Sequence, residues 1–251
     1  MSLASILLLA AAASAPPICT DRPAKANAVC TVPTGKWQLE TAAVDWLQFE
    51  RSGSETETLL FGSSLLKYGI SSQSDLQLGF TPYVRVSMNG DHQSGFGDVT
   101  LRFKQRLTGA NSPVQVGLIP FVKLPTAKTG IGNGKAEGGL ALPVSFAIAG
   151  PVAATFGPEA DLLADTDGHG RHLAIVQLVN LSATVASRIT LVGEFWANWN
   201  FDPAGTIKQV SADAALAYAL SDALQLDAGV NAGLTGDTAD IELSAGFSAR
   251  F

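Results

Sequence analysis

From about residue 36 onward, apolar and polar residues alternate with a period of two. Strand side chains point to opposite faces in turn, so this period marks strands with one apolar and one polar face. The pattern predicts twelve strands. The first six are Lys36–Glu50, Glu55–Tyr68, Asp75–Met88, Gly97–Leu107, Val114–Leu124 and Gly138–Ile148. The other six are Val152–Leu163, Leu173–Val185, Ile189–Trp199, Gln209–Leu220, Leu224–Leu234 and Asp240–Phe251. The last is the clearest. Ile241, Leu243, Ala245, Phe247, Ala249 and Phe251 share one parity, against Asp240, Glu242, Ser244, Gly246, Ser248 and Arg250 on the other.

Connections alternate in character. Gly69–Ser74, Thr108–Pro113, Ala149–Pro151, Ala186–Arg188 and Ser221–Ala223 are short, whereas Asn89–Phe96, Pro125–Glu137, Ala164–His172 and Asn200–Lys208 are longer and rich in Gly, Asp, Asn and Lys. Short periplasmic turns alternating with longer external loops are the asymmetry of an outer-membrane barrel, and an even strand number returns both termini to one side. A soluble sandwich has no reason to alternate loop length in this way. The fold expected over residues 36–251 is therefore all-β: a transmembrane antiparallel up-and-down β-barrel of about twelve strands.

Composition supports this. The chain is 47% apolar but only 15% charged, against about 25% charged in soluble domains. Its apolar residues are spread thinly, and no run approaches the ~20 residues of a spanning helix. A closed barrel satisfies every backbone group in hydrocarbon without such a run. The net charge of −6 argues against a nucleic-acid partner; membrane lipid is the partner this surface predicts.

Residues 1–15 read as a secretory signal peptide, with the apolar run Leu3–Ala15 ending in Ala13-Ser14-Ala15 before Pro16. Residues 16–35 are expected to form a periplasmic segment in which Cys19 and Cys30 pair, because an exported chain meets an oxidising compartment.

Candidate pore-lining residues follow from strand parity. Arg102, Lys104 and Arg106 share a face with Asp98, about 7 Å apart per step, and would repel unless opposed. Glu159, Asp161, Glu194, Asp213 and Asp227 are the wall carboxylates available to face them, and Asn231, Glu242 and Arg250 complete the polar face. Two readings are open and compatible: an internal salt-bridge network that narrows the barrel, or an electrostatic constriction that selects solutes. Trp196, Trp199, Phe201 and Tyr68 read as interfacial aromatics. His92, His169 and His172 all fall in expected external loops, no G-x-S-x-G occurs, and Gly130–Lys135 lacks the spacing of a phosphate loop. No catalytic set, metal site or cofactor is expected.

The terminal strand ending on Phe251 resembles the closing strand of bacterial outer-membrane barrels, whose terminal Phe is read by the assembly machinery. Other stretches extend the likeness: C-T-D-R-P-A-K-A-N at Cys19–Asn27, C-T-V-P-T-G at Cys30–Gly35, G-F-G-D-V-T-L-R-F-K at Gly95–Lys104, K-L-P-T at Lys123–Thr126, L-A-L-P-V-S-F at Leu140–Phe146, and L-D-A-G-V-N-A-G-L-T at Leu226–Thr235. Taken in order, they resemble the transporter-like family labelled "putative meta-pathway of phenol degradation" of Gram-negative outer membranes. The resemblance implies an outer-membrane channel or transporter for passive passage of small solutes, aromatic or hydrophobic compounds among them, with no catalytic residues. The alternatives are a structural or adhesive barrel with a plugged lumen, working through its external loops, and an outer-membrane hydrolase. The solute itself is unknown.

Overall fold

In this chain the apolar residues lie outside and the charged ones inside, the reverse of a soluble domain. In the computed structural model, which describes residues 17–251, Leu76 is 51% exposed while Lys67 and Lys104 are 2% and 1% exposed. Lipid takes the place of water for the outward face, so exposed leucines there carry no hydrophobic penalty. The expected signal peptide lies outside the described residues.

Sixteen strands follow one another: β1 Trp37–Arg51, β2 Ser54–Ser71, β3 Ser74–Phe80, β4 Tyr83–Met88, β5 Asp91–Gly95, β6 Val99–Arg106, β7 Val114–Leu124 and β8 Glu137–Ala141. They continue as β9 Val144–Ala149, β10 Val152–Phe156, β11 Glu159–Ala164, β12 Arg171–Ala186, β13 Ile189–Asn200, β14 Ile207–Ser221, β15 Leu224–Gly233 and β16 Ile241–Arg250. Four successive pairs (β3/β4, β5/β6, β8/β9 and β10/β11) are single staves, giving a closed antiparallel barrel of twelve. Closure comes from β1, which pairs with β2 on one side and β16 on the other, with Gln38 opposite both Lys67 and Arg250. Trp37 and Phe251 exchange main-chain bonds of 3.0 and 2.9 Å, fastening the chain end to the first strand.

The structure differs from the sequence reading in three places. Strands expected to run unbroken are interrupted at Pro82, Pro143 and Pro158, where proline has no N–H to give to the ladder. The expected external loop Asn89–Phe96 is instead a two-residue turn followed by a strand. Asn89 and Gly90 both have positive φ, 50° and 95°, the geometry of a type I′ hairpin turn that favours Asn-Gly. Asp91–Gly95 then pairs back onto Tyr83–Met88. As a result His92 lies on β5, and His172 lies on β12; of the three histidines only His169 is in a loop.

Trp37 packs against Tyr68 with ring centres 4.6 Å apart and planes tilted by 41°, near the rim where the chain ends meet the short turns. That end is called here the short-turn rim, and the opposite end the loop rim. Trp199 and Phe201 are exposed toward the loop rim, a placement that suits interfacial aromatics.

Candidate functional site: a lumen shared with the N-terminal segment

Residues 18–34 run into the barrel from the short-turn rim and back out, forming a plug. Ile18 N donates to the carbonyl of Asp222 in the β14–β15 turn at 2.7 Å, and on the way out Gly35 N donates to Gly69 O at 2.8 Å. Cys19 and Cys30 are disulfide-bonded across an 11-residue separation, so the inserted loop is tied at its neck. Fixing a short loop this way reduces the entropy lost on docking.

Each anchor joins a plug group to a wall group presented by the inward parity of a strand. Asp21 accepts from Lys67 Nζ at 2.6 Å and from Lys104 Nζ at 2.8 Å. Glu40 pairs with Lys67 and accepts Asp21 N at 2.9 Å. Arg22 reaches Asp227 at 2.7 Å, and Lys25 reaches Asp213 at 2.9 Å. At the tip, both carboxylate oxygens of Glu194 take main-chain donors, Lys25 N and Ala26 N, each at 3.0 Å. On the way out Val32 N donates to Asp75 at 2.9 Å. Burial opposes charge on Asp21, but the ammoniums of Lys104 and Lys67 and the nearby Arg102 guanidinium hold its carboxyl well below the usual range.

Two wall glycines make room for this. A side chain on Gly69 would strike the Val32 and Pro33 carbonyls, and one on Gly246 would meet Arg22 Nη2 at 2.7 Å. Glycine lets the plug backbone approach the wall.

Two of the three cations in the row, Arg102 and Lys104, are therefore bonded by the plug, and Lys104 also has Asp75 opposite it on β3. Lys104 meets Asp21 and the Ala28 carbonyl, Arg102 meets Asn27, and Arg106 donates to the Ser72 carbonyl of a turn at 2.9 Å. The other sequence candidates are dispersed. Asp98 lies toward the loop rim, 3.4 Å from Lys123 and bonded to Ala127 N at 2.8 Å. Asn231 donates to Glu242 at 2.8 Å, and Arg250 donates to Asp222 O at the short-turn rim. Glu159 and Asp161 face a cavity, and among the described residues neither forms an ion pair.

The plug does not fill the lumen: cavities remain beside it on the β1–β3 side, where Asp21, Arg22, Glu40, Ser63 and Thr100 border one of about 320 Å³, and on the β10–β13 side. A cavity of about 230 Å³ lies above its tip, bordered by Lys25, Asn27, Glu159, Asp161, Trp196 and Asn198. A second of about 220 Å³ lies below, between plug residues 20–28 and a wall of Thr155, Asn180, Ser182, Thr190, Val192 and Ala217. Asn27 borders both. Arg22, Lys25, Lys67, Lys104 and Lys123 all pair with carboxylates, while Arg102 and Arg106 meet neutral groups; Asp45, Glu194, Glu242, Glu159 and Asp161 make no ion pair among the described residues.

Trp196 needs reassignment. Expected at the membrane interface, it faces the lumen instead, because its neighbour Phe195 is the outward one at 51% exposure; Lys25 Nζ sits 4.9 Å from its ring centre. The sequence reading also missed Asp21, Arg22 and Lys25, whose only signal was charge in a segment without strand pattern. At the loop rim His172 Nδ1 lies 2.8 Å from Asp165, and among the described residues no group of three His, Cys, Asp or Glu is placed to hold a metal.

Comparison with solved structures gives the fold its setting. An outer membrane channel from Pseudomonas putida F1 superposes with a TM-score of 0.71 at 14% identity, over 91% of this chain and 100% of that one. The NanC porin gives 0.55 at 10% identity over 82% and 99%. The CymD monoaromatic hydrocarbon channel gives 0.51 at 10% over 88% and 89%. At such identities the likeness is one of fold, that of an outer-membrane β-barrel. No curated protein matches the sequence. The family described as "Putative MetA-pathway of phenol degradation" matches residues 20–251, from the first turn of the plug to the terminal phenylalanine, and the chain belongs to it.

Proposed function

We propose that the protein is an outer-membrane channel for passive passage of small solutes, inserted by the barrel assembly machinery through its Phe251 strand. The observation that supports this reading is the pair of cavities on the β10–β13 side of the plug, which share Asn27 as a lining residue and would form a side path past the plug if joined there. A lumen meant only to be sealed would be packed on every side. One of the similar folds is, by its name, a channel for monoaromatic hydrocarbons, which supports aromatic compounds as solutes. The lower cavity is walled mainly by hydroxyl and amide groups and the upper by carboxylates, Trp196 and apolar side chains, so a solute using both would carry a polar group beside an apolar body.

The test is conductance of the purified barrel in planar bilayers. Steady ion current is expected, and Ser182→Trp, which fills the path without touching an anchor, should reduce it. A barrel that stays silent at all voltages would overturn the channel reading. The plug itself favours a second reading, a structural or adhesive barrel with a closed lumen. On that reading the intact protein is silent and conducts only when residues 18–34 are removed.

A further inference from the structure

The cavity at the plug tip is built for a positive charge beside an apolar body, and the chain already places one ammonium at its edge. Lys25 Nζ lies 4.9 Å from the Trp196 ring centre, with Asp213 Oδ2 at 2.9 Å and Ser211 Oγ at 2.8 Å. An aromatic face with carboxylates around it is the arrangement that holds organic ammonium ions. Lys25 uses only part of it. Oδ1 of Asp161 and Oδ1 of Asn198, on residues that line the cavity, are buried without a hydrogen-bond partner, as is Oδ1 of Asp213, which lies outside the lining beside Lys25. All three are acceptors, and buried acceptors of this kind call for a donor. Glu159 adds a further carboxylate to the same cavity, while Val176 and Leu178 supply an apolar floor. The Arg102 guanidinium donates to Asn27, a neutral partner, and its charge reaches Glu159, so Asp161 is the carboxylate left for a ligand cation.

We infer that this cavity is a binding site for small organic ammonium ions: the cation lies against Asp161, the apolar part rests on Val176, Leu178 and the Trp196 ring, and the ligand competes with Lys25 for that ring. At about 230 Å³ the cavity falls below the usual 300–1,000 Å³ of ligand sites, which restricts it to small molecules. The inference names a solute class for the proposed channel, but it is an equilibrium binding claim, so it can be decided even if the barrel does not conduct.

Benzylammonium, benzoate and benzyl alcohol differ little in shape and carry positive, negative and no charge. Binding of each to the folded, detergent-solubilised barrel should be measured by calorimetry, with folding of every variant checked by resistance to unfolding in detergent at room temperature. Benzylammonium should bind and the other two should bind at least tenfold more weakly. Trp196→Leu and the pair Glu159→Gln with Asp161→Asn should each weaken benzylammonium about tenfold, the scale of a desolvated cation–π contact. Lys25→Ala should tighten it several-fold by freeing the ring and Asp213. Equal binding of benzylammonium and benzoate, or no effect of Trp196→Leu in a folded barrel, would overturn the site. No tightening in Lys25→Ala would overturn the competition with Lys25. Silence in bilayers alongside selective benzylammonium binding would remove the channel reading and leave the site standing.

Discussion

On the β2–β3–β6 side of the lumen, charged groups are buried and matched. Lys67 and Lys104 meet Asp21 and Glu40, and Asp75 takes a main-chain donor from the plug. On the β10–β13 side, small neutral residues border one cavity, and Glu159 and Asp161 face another without a cation. A buried charge is tolerable only when its partner is present, and removing one partner costs about 3–5 kcal/mol. An unpaired carboxylate persists where water or a solute reaches it, or where neutral donors satisfy it as at Glu194. The first side is thus an anchor, and the second is the side on which the proposed channel would admit a solute.

The largest expected effect removes the distinction altogether. Deleting residues 18–34 takes away both plug groups that Lys104 Nζ meets, Asp21 and the Ala28 carbonyl, so conductance in bilayers should rise about tenfold, on the scale of a lumen no longer filled by chain. Unchanged current would mean that the plug does not limit flow. A smaller break is Asp21→Asn, which leaves the Lys104 ammonium with only the Ala28 carbonyl. Plug docking should weaken by about 3–5 kcal/mol, read as faster reduction of the Cys19–Cys30 bond in the folded barrel. The control Asp227→Asn breaks one pair on the other side of the plug and should have less effect.

The opposite side is probed by Glu159→Gln with Asp161→Asn. Reversal potentials in a salt gradient should show the cation preference of the unaltered barrel falling several-fold, with plug docking intact. Retention of full cation preference would place selectivity elsewhere in the lumen. The smallest effect is that of acid. The folded-state value of Asp21 is depressed, so its contribution is present above the unfolded carboxylate value of about 3.9 and is lost only as pH falls through the lower folded value. Between pH 7 and 4, the rate of disulfide reduction should therefore change little. A sharp rise above pH 4 would show that the Lys67–Asp21–Lys104 cluster is not the anchor.

Much of the wall was legible in the sequence. Alternation set Leu243 and Ala245 on the face that proves outward and Lys104, Glu194 and Asp227 on the inward one, because strand parity is a local property that burial in lipid or lumen only reinforces. Trp196 went astray because an aromatic near a strand end fits the interface as well as the lumen, and only its one-residue offset from Phe195 decides. The hairpin at Asn89-Gly90 was written in the sequence as a turn signal, and the polar run after it hid the strand.

The plug is another matter. Residues 18–34 have no strand periodicity, and their charges read equally well as solvated. What places them is a set of contacts between positions far apart in the chain, such as Arg22 with Asp227 and Lys25 with Asp213, which exist only once the barrel has closed and set those carboxylates around one space. The twelve crossings could be read from the chain alone, since they follow from the two-residue repeat and the length of a membrane crossing. Which lumen side chains anchor the plug could not, because charge pairing across a lumen depends on what fills it.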